Sequence, residues 1–84
     1  MAATPHTHVK TAVITGAASG LGRAFALAWA AQGWKVGVLD LDLEGAAETL
    51  ELVERAGGSG EAYRCDVSSL AEVEAAAEHF WGRW

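Results

Sequence analysis

The chain has 84 residues, a net charge of −5 and 51% apolar residues, which is room for one small domain and too apolar for a disordered segment. No apolar run approaches the roughly 18 residues of a membrane span. There is no basic stripe with interleaved aromatics to hold nucleic acid, and MAATPHTHVK lacks the charged start and apolar run of a secretory signal.

In chain order, residues 1–8 read as a flexible tail, with Pro5 in a short polar run. His6 and His8 share an H-x-H spacing there, but a pair in a tail makes no metal centre, and none is expected. Lys10 to Thr15 reads as a short buried strand, Gly16 to Gly20 as a turn, and Leu21 to Gln32 as a helix apolar nearly all round, ended by Gly33. Such a helix needs cover on more than one side. Trp34 to Asp40 is a second strand whose near-continuous apolar run suits a parallel strand buried on both faces. Asp42 is placed to cap a helix with Leu43, Ala46, Ala47, Leu50 and Val53 on one face. Gly57 to Gly60 breaks that helix, and Ala62 to Cys65 follows as a short third strand. Cys65 is the sole cysteine, so there is no disulfide framework or paired zinc spacing, and a reducing, cytoplasmic setting is expected.

The last helix starts near Ser68 or Ser69, with Ser69 and Glu72 at capping-box spacing. Leu70, Val73, Ala77, Phe80, Trp81 and Trp84 form its apolar stripe, and His79 is expected in solvent. The heavy last turn with no C-terminal cap signal after Trp84 suggests a chain cut from a longer one. Strand–helix alternation three times over predicts right-handed crossovers and a parallel sheet. If the sheet is doubly wound, the last helix would cross to its opposite face and the first strand would keep a bare edge.

The stretch TGAASGLG, Thr15 to Gly22, sits where the first strand becomes the first helix. The first N–H groups of a helix lack partners and its dipole is positive there, which suits a pyrophosphate. Glycines permit the sharp turn and the close approach. The loop also lies in the half of the chain that carries no carboxylate before Asp40, and Arg23 is a candidate for further positive charge. The spacing is neither a Gly-Lys-Ser/Thr P-loop nor G-x-G-x-x-G, because Phe25 stands at the third glycine position. Ser19 is not a nucleophile-elbow serine, since Ala17 and Leu21 flank it at two residues' distance.

On these residues the chain resembles the short-chain dehydrogenases/reductases. Thr15-Gly-Ala-Ala-Ser-Gly-Leu-Gly22 is similar to their cofactor loop throughout, Val38-Leu-Asp40 to the end of their second strand, and Cys65-Asp-Val-Ser68 to their third-strand motif. The resemblance runs over residues 9–84 and implies the N-terminal βαβαβα half of a Rossmann-type doubly wound α/β sheet. It implies that Gly16, Ala18, Ser19, Gly20, Leu21 and Gly22 cradle the dinucleotide. Asp40 would hold the adenosine ribose, and Asp66 and Val67 would border the adenine. A carboxylate at Asp40 would face a 2′-phosphate at about 4 Å with about 4 kcal/mol of repulsion at an effective dielectric near 20. The positions where NADP binders of the family place a base hold Ser19 and Leu41. NAD is therefore expected over NADP.

The family's catalysis uses serine, tyrosine and lysine with a supporting asparagine, and this chain does not supply them. It has no asparagine, its only tyrosine, Tyr63, is followed four residues later by Val67 rather than lysine, and its lysines are Lys10 and Lys35. No catalytic residue is assigned, and the 84 residues alone are expected to be inactive. An alcohol or ketone would be a substrate only of a full-length parent, and oligomer contacts would lie in later helices. The alternative is a complete, non-catalytic module that binds a nucleotide or a partner protein through the open strand edge and the Trp81–Trp84 patch.

Overall fold

The computed structural model describes residues 10–83, with side chains to Phe80. The expected tail at residues 1–8 and the stripe positions Trp81 and Trp84 lie outside these described residues and side chains. Three strands alternate with three helices: β1 (Thr11–Thr15), α1 (Gly20–Ala30), β2 (Lys35–Asp40), α2 (Leu43–Arg55), β3 (Ser59–Arg64) and α3 (Leu70–Arg83). The strands form one parallel sheet in the order β1-β2-β3. Thr15 pairs with Leu39 and Asp40 with Arg64, so the loops after all three strands open at the same end of the sheet.

The central strand explains the two cores. Val36 and Val38 point to one face, where they pack with Ala17, Ala26, Ala30, Ala46 and Val53 from the first loop, α1 and α2. Leu39 points to the other face and packs with Cys65, Ala76 and Phe80 beneath α3. The last helix therefore crosses over, as a doubly wound sheet implies. Gly37 shares the face of Leu39, and a Cβ there would sit 3.1 Å from the Phe80 ring and 3.2 Å from Val13 Cγ2. The ring can come this close to the sheet because that residue has no side chain.

Several expectations need correction. β3 begins at Ser59, inside the expected Gly57–Gly60 break, because its backbone joins the ladder opposite Lys35 and Val36 whatever side chains it carries. In α2 the buried face is Gly45, Ala46, Thr49 and Val53, whereas Leu43 and Ala47 are exposed. In α3 the buried residues are Ala76 and Phe80, whereas Leu70 is 73% exposed and Ala77 is also outside. Both helices are turned by about one residue from the apolar stripe, toward polar side chains that find partners. For α3 these are Glu72 and His79. His79 is not in open solvent: its Nε2 lies 2.6 Å from Glu61 Oε2 on β3, and its ring stands 4.6 Å from that of Tyr63. The all-round apolar α1 is covered on one side only, by the sheet and α2, and leaves Leu21 and Phe25 exposed.

Candidate cofactor-binding site

The three loop glycines act in two ways. Gly16 and Gly20 have φ of 65° and 59°, and a Cβ at either would meet nothing within 4 Å. They serve the backbone path, which an L side chain resists by about 1–2 kcal/mol. Gly22 is different: a Cβ there would lie 2.1 Å from Gly16 O and 3.0 Å from Ala17 Cα. It lets the first turn of α1 fold directly against the start of the loop.

The end of this loop is an uncapped helix N-terminus. The first intrahelical bond runs from Arg23 N to Ser19 O at 3.3 Å, so Gly20, Leu21 and Gly22 occupy the first three helical positions, whose N–H groups have no acceptor within the helix. Ser19 is the N-cap residue but makes no side-chain cap bond, and the first turn carries no acid. The other two helices are closed. Asp42 accepts from Gly45 N at 3.1 Å, with Glu44 in the first turn of α2. Ser69 Oγ accepts from Glu72 N at 3.3 Å in α3. The reciprocal half of that expected capping box is displaced, since Glu72 Oε1 accepts from Asp66 N at 3.1 Å.

Beside the loop, the Asp40 carboxylate is held by the backbone. Its Oδ2 accepts from Ala18 N at 3.0 Å and its Oδ1 from Asp42 N at 2.9 Å. Each oxygen keeps acceptor capacity for one more donor. Cys65 N donates to Asp40 O at 3.1 Å, which carries the β2–β3 ladder past the strands and brings the Asp66–Val67 turn alongside Asp40. Asp66 Oδ1 accepts from the Ser68 hydroxyl at 2.6 Å and from Ser68 N at 2.9 Å, and these bonds hold its carboxyl below the usual carboxylate range. Val67 is exposed at 59% and Leu41 at 54%, apolar groups left open at this end of the sheet.

Gly16, Ala18 and Ser19 in the first loop, Gly20, Leu21 and Gly22 in the first turn of α1, Asp40 at the last position of β2, and Asp66 and Val67 in the turn after β3 thus all lie at one end of the sheet. Ala18 has its side chain buried and can offer only its backbone there. Arg23 is not presented as a loose positive charge. Its Nε donates to Thr49 Oγ1 at 2.8 Å, its Nη2 donates to Ala18 O and to Gly45 O, and Nη2 lies 3.8 Å from Glu48. Thr49, fully buried, was not singled out by the sequence, since one threonine among the apolar and charged positions of a helix carries no pattern. Among the described residues no helix is long and apolar enough to cross a membrane, and no group of three or more His, Cys, Asp or Glu could hold a metal.

The family model for short chain dehydrogenases matches residues 10–84. D-threitol dehydrogenase of Mycolicibacterium smegmatis is 41% identical over 69 residues, covering 82% of this chain and 26% of that protein. A crystal structure of a short-chain dehydrogenase/reductase from Burkholderia phymatum in complex with NAD superposes with a TM-score of 0.79 at 44% identity, over 84% of this chain and 25% of that one. A metagenomic short-chain oxidoreductase in complex with NADP superposes with a TM-score of 0.84 at 30% identity, over 88% of this chain and 34% of that one. The chain spans about a quarter of the length of the curated relatives it matches. With its parallel βαβαβα order and its glycine loop, the chain belongs to the short-chain dehydrogenase/reductase family of oxidoreductases and corresponds to their nucleotide-binding part.

Proposed function

We propose that these residues form the adenosine and pyrophosphate part of an NAD site, in a protein that moves a hydride between nicotinamide and an alcohol or ketone. The observation that carries this is the contrast among the three helices. α2 and α3 are closed by side-chain caps, whereas α1 is left open at the one N-terminus that follows a glycine loop. An open helix start with no acid in its first turn suits a dianionic pyrophosphate. Gly16 and Gly20, where a Cβ would point into free space, leave room for it.

In this reading the backbone from Gly16 to Gly22, including Ala18, Ser19 and Leu21, holds the pyrophosphate. Asp40 accepts from the adenosine ribose hydroxyls, and the Asp66–Val67 turn borders the adenine, with Val67 offering an apolar side chain. Relatives bind both dinucleotides, and Asp40 is the reason to choose NAD here: its fixed carboxylate repels a 2′-phosphate, and neither Ser19 nor Leu41 supplies a compensating cation. When bound, the nicotinamide supplies the hydride acceptor or donor. The residues that move the hydroxyl proton belong to the parts of the whole protein that correspond to the rest of its relatives. Tyr63 is not one of them, because it packs on α3 against His79 and Phe80. A cytoplasmic location fits a lone reduced cysteine.

The test is a calorimetric titration of the full-length gene product with NADH and with NADPH. NADH is expected to bind at least about tenfold more tightly, a difference near 1.4 kcal/mol, and Asp40→Ala to narrow that gap. Equal affinities would overturn the preference for NAD, and binding of neither would overturn the site.

A further inference from the structure

We infer that Thr49 and Arg23 are positioning residues for the dinucleotide loop, a role that rests on the NAD reading above and extends it to α2. The N–H and carbonyl groups of Ala17 and Ala18 are all pinned. Their N–H groups go to the end of β2: Ala17 N donates to Leu39 O at 3.0 Å, and Ala18 N to Asp40 Oδ2 at 3.0 Å. Their carbonyls go the other way. Thr49 Oγ1 donates to Ala17 O at 2.7 Å, and Arg23 Nη2 donates to Ala18 O.

Thr49 and Arg23 are themselves joined, since Thr49 Oγ1 accepts from Arg23 Nε at 2.8 Å. A hydroxyl has one proton to give and lone pairs to receive, so the direction of the chain is fixed: Arg23 to Thr49 to Ala17 O. The Nη2 that holds Ala18 O also reaches Gly45 O at 3.3 Å, in the first turn of α2. The approach is close enough that a Cβ on Gly45 would lie 2.8 Å from Ala18 Cβ. α2 is thus docked on the loop by packing and by the Thr49–Ala17 bond, and on Arg23 through Thr49, Gly45 O and Glu48.

The consequence for binding is geometric. The Ala17–Ala18 peptide offers its N–H to Asp40 and its carbonyl to Thr49, and Arg23 holds the carbonyl of the next peptide. A shift there moves the ribose acid and the pyrophosphate loop relative to each other. Losing the Thr49 hydroxyl leaves Ala17 O and Arg23 Nε without their partner in a buried place, where an unmet group is costly and the local structure adjusts to relieve it. The ligand would then meet a loop that must be ordered on binding, and affinity falls by that cost.

The experiment compares Thr49→Val, Thr49→Ser and Arg23→Lys in the full-length gene product, reading NADH affinity by calorimetry and Tm by circular dichroism. Thr49→Val keeps the shape and removes the hydroxyl, and it is expected to weaken NADH about tenfold. Thr49→Ser keeps the hydroxyl and loses a buried methyl, and it is expected to lower Tm while binding NADH within about twofold of wild type. Arg23→Lys keeps the charge, but one ammonium cannot match the guanidinium fork. An approximately tenfold loss is expected there too, and this variant answers the question if Thr49→Val does not fold. NADH binding by Thr49→Val or Arg23→Lys equal to wild type overturns the positioning role and leaves the NAD site standing. Thr49→Ser as weak as Thr49→Val assigns the effect to packing and also overturns it. A wild-type protein that binds no NADH overturns both readings.

Discussion

Gly16 and Gly22 look alike in the sequence, and the structure makes them opposites. Gly16 pays for a left-handed backbone in open space, and Gly22 for a contact with no room for a methyl. Gly16→Ala is therefore expected to cost about 1–2 kcal/mol of stability through backbone strain. Gly22→Ala must push Gly16 O away from 2.1 Å and is expected to cost about 3 kcal/mol, at the upper end for overpacking, and to weaken NADH much more than Gly16→Ala. Thermal melts and NADH titrations of the two variants check this; equal effects would mean that the close approach at Gly22 is not what shapes the loop. The glycines and Asp40 were legible because spacing and position at strand ends are written in sequence. Thr49 and the true role of Arg23 were not, because both depend on which loop carbonyls a folded α2 brings within reach. An arginine in the first turn of a helix beside an anion site invites a charge reading, and only the bonds to Ala18 O, Gly45 O and Thr49 show that its Nε and Nη2 donors are already in use.

At the scale of elements, α3 is held to the sheet by few residues. Phe80 packs over Gly37, Ala76 packs beside Leu39, and the His79–Glu61 pair and the Glu72 bonds flank them. Cys65 is shut beneath this helix at 2% exposure, and burial pushes its thiol pKa up, with the Glu72 and Asp66 carboxylates adding to the rise. A thiol that is both covered and disfavoured as thiolate reacts slowly. Among the described side chains of the helix, Phe80 is the one that is both large and fully buried, and Phe80→Ala is expected to cost about 3–5 kcal/mol. Because it loosens the cover locally, Cys65 should react with a disulfide reagent at least about tenfold faster in the variant, from the more frequent opening. An unchanged rate would mean that something other than α3 protects the thiol. The sequence showed that α3 exists and where it starts, because an apolar periodicity and the Ser69–Glu72 spacing are local. Its facing was misjudged by about one residue, because Glu72 and His79 count as solvent-seeking until Asp66 N, Arg64 and Glu61 are seen to receive them. The same holds for the start of β3, where Ser59 and Gly60 pair through backbone alone.

For the molecule as a whole, the cover is uneven. α1 and α2 close one face of the sheet, while on the other face α3 packs over Gly37, Leu39, Tyr63 and Cys65, from β2 to the end of β3. Val13 of β1 is left 45% exposed on that face, and α1 turns Leu21, at 70%, and Phe25, at 51%, away from the sheet. Among the described residues β1 pairs only with β2, so its other edge presents unmatched N–H and C=O groups next to this apolar surface. An open edge beside exposed apolar side chains is a template for pairing with a second copy. The 84-residue chain prepared by itself is thus expected to self-associate with rising concentration in sedimentation velocity, and to bind a hydrophobic dye such as ANS. A full-length protein of the relatives' size, about three times that of this chain, is expected to bind little. Val13→Lys together with Phe25→Glu should return the short chain toward monomer, since charge at an edge and on an exposed apolar helix face opposes both modes of contact. A short chain that stays monomeric, binds no dye and unfolds in one cooperative step would show that these 84 residues satisfy their own surface. That result would favour an independent binding module over a part of a larger dehydrogenase, because a nucleotide-binding half built to be covered should not be content without its cover.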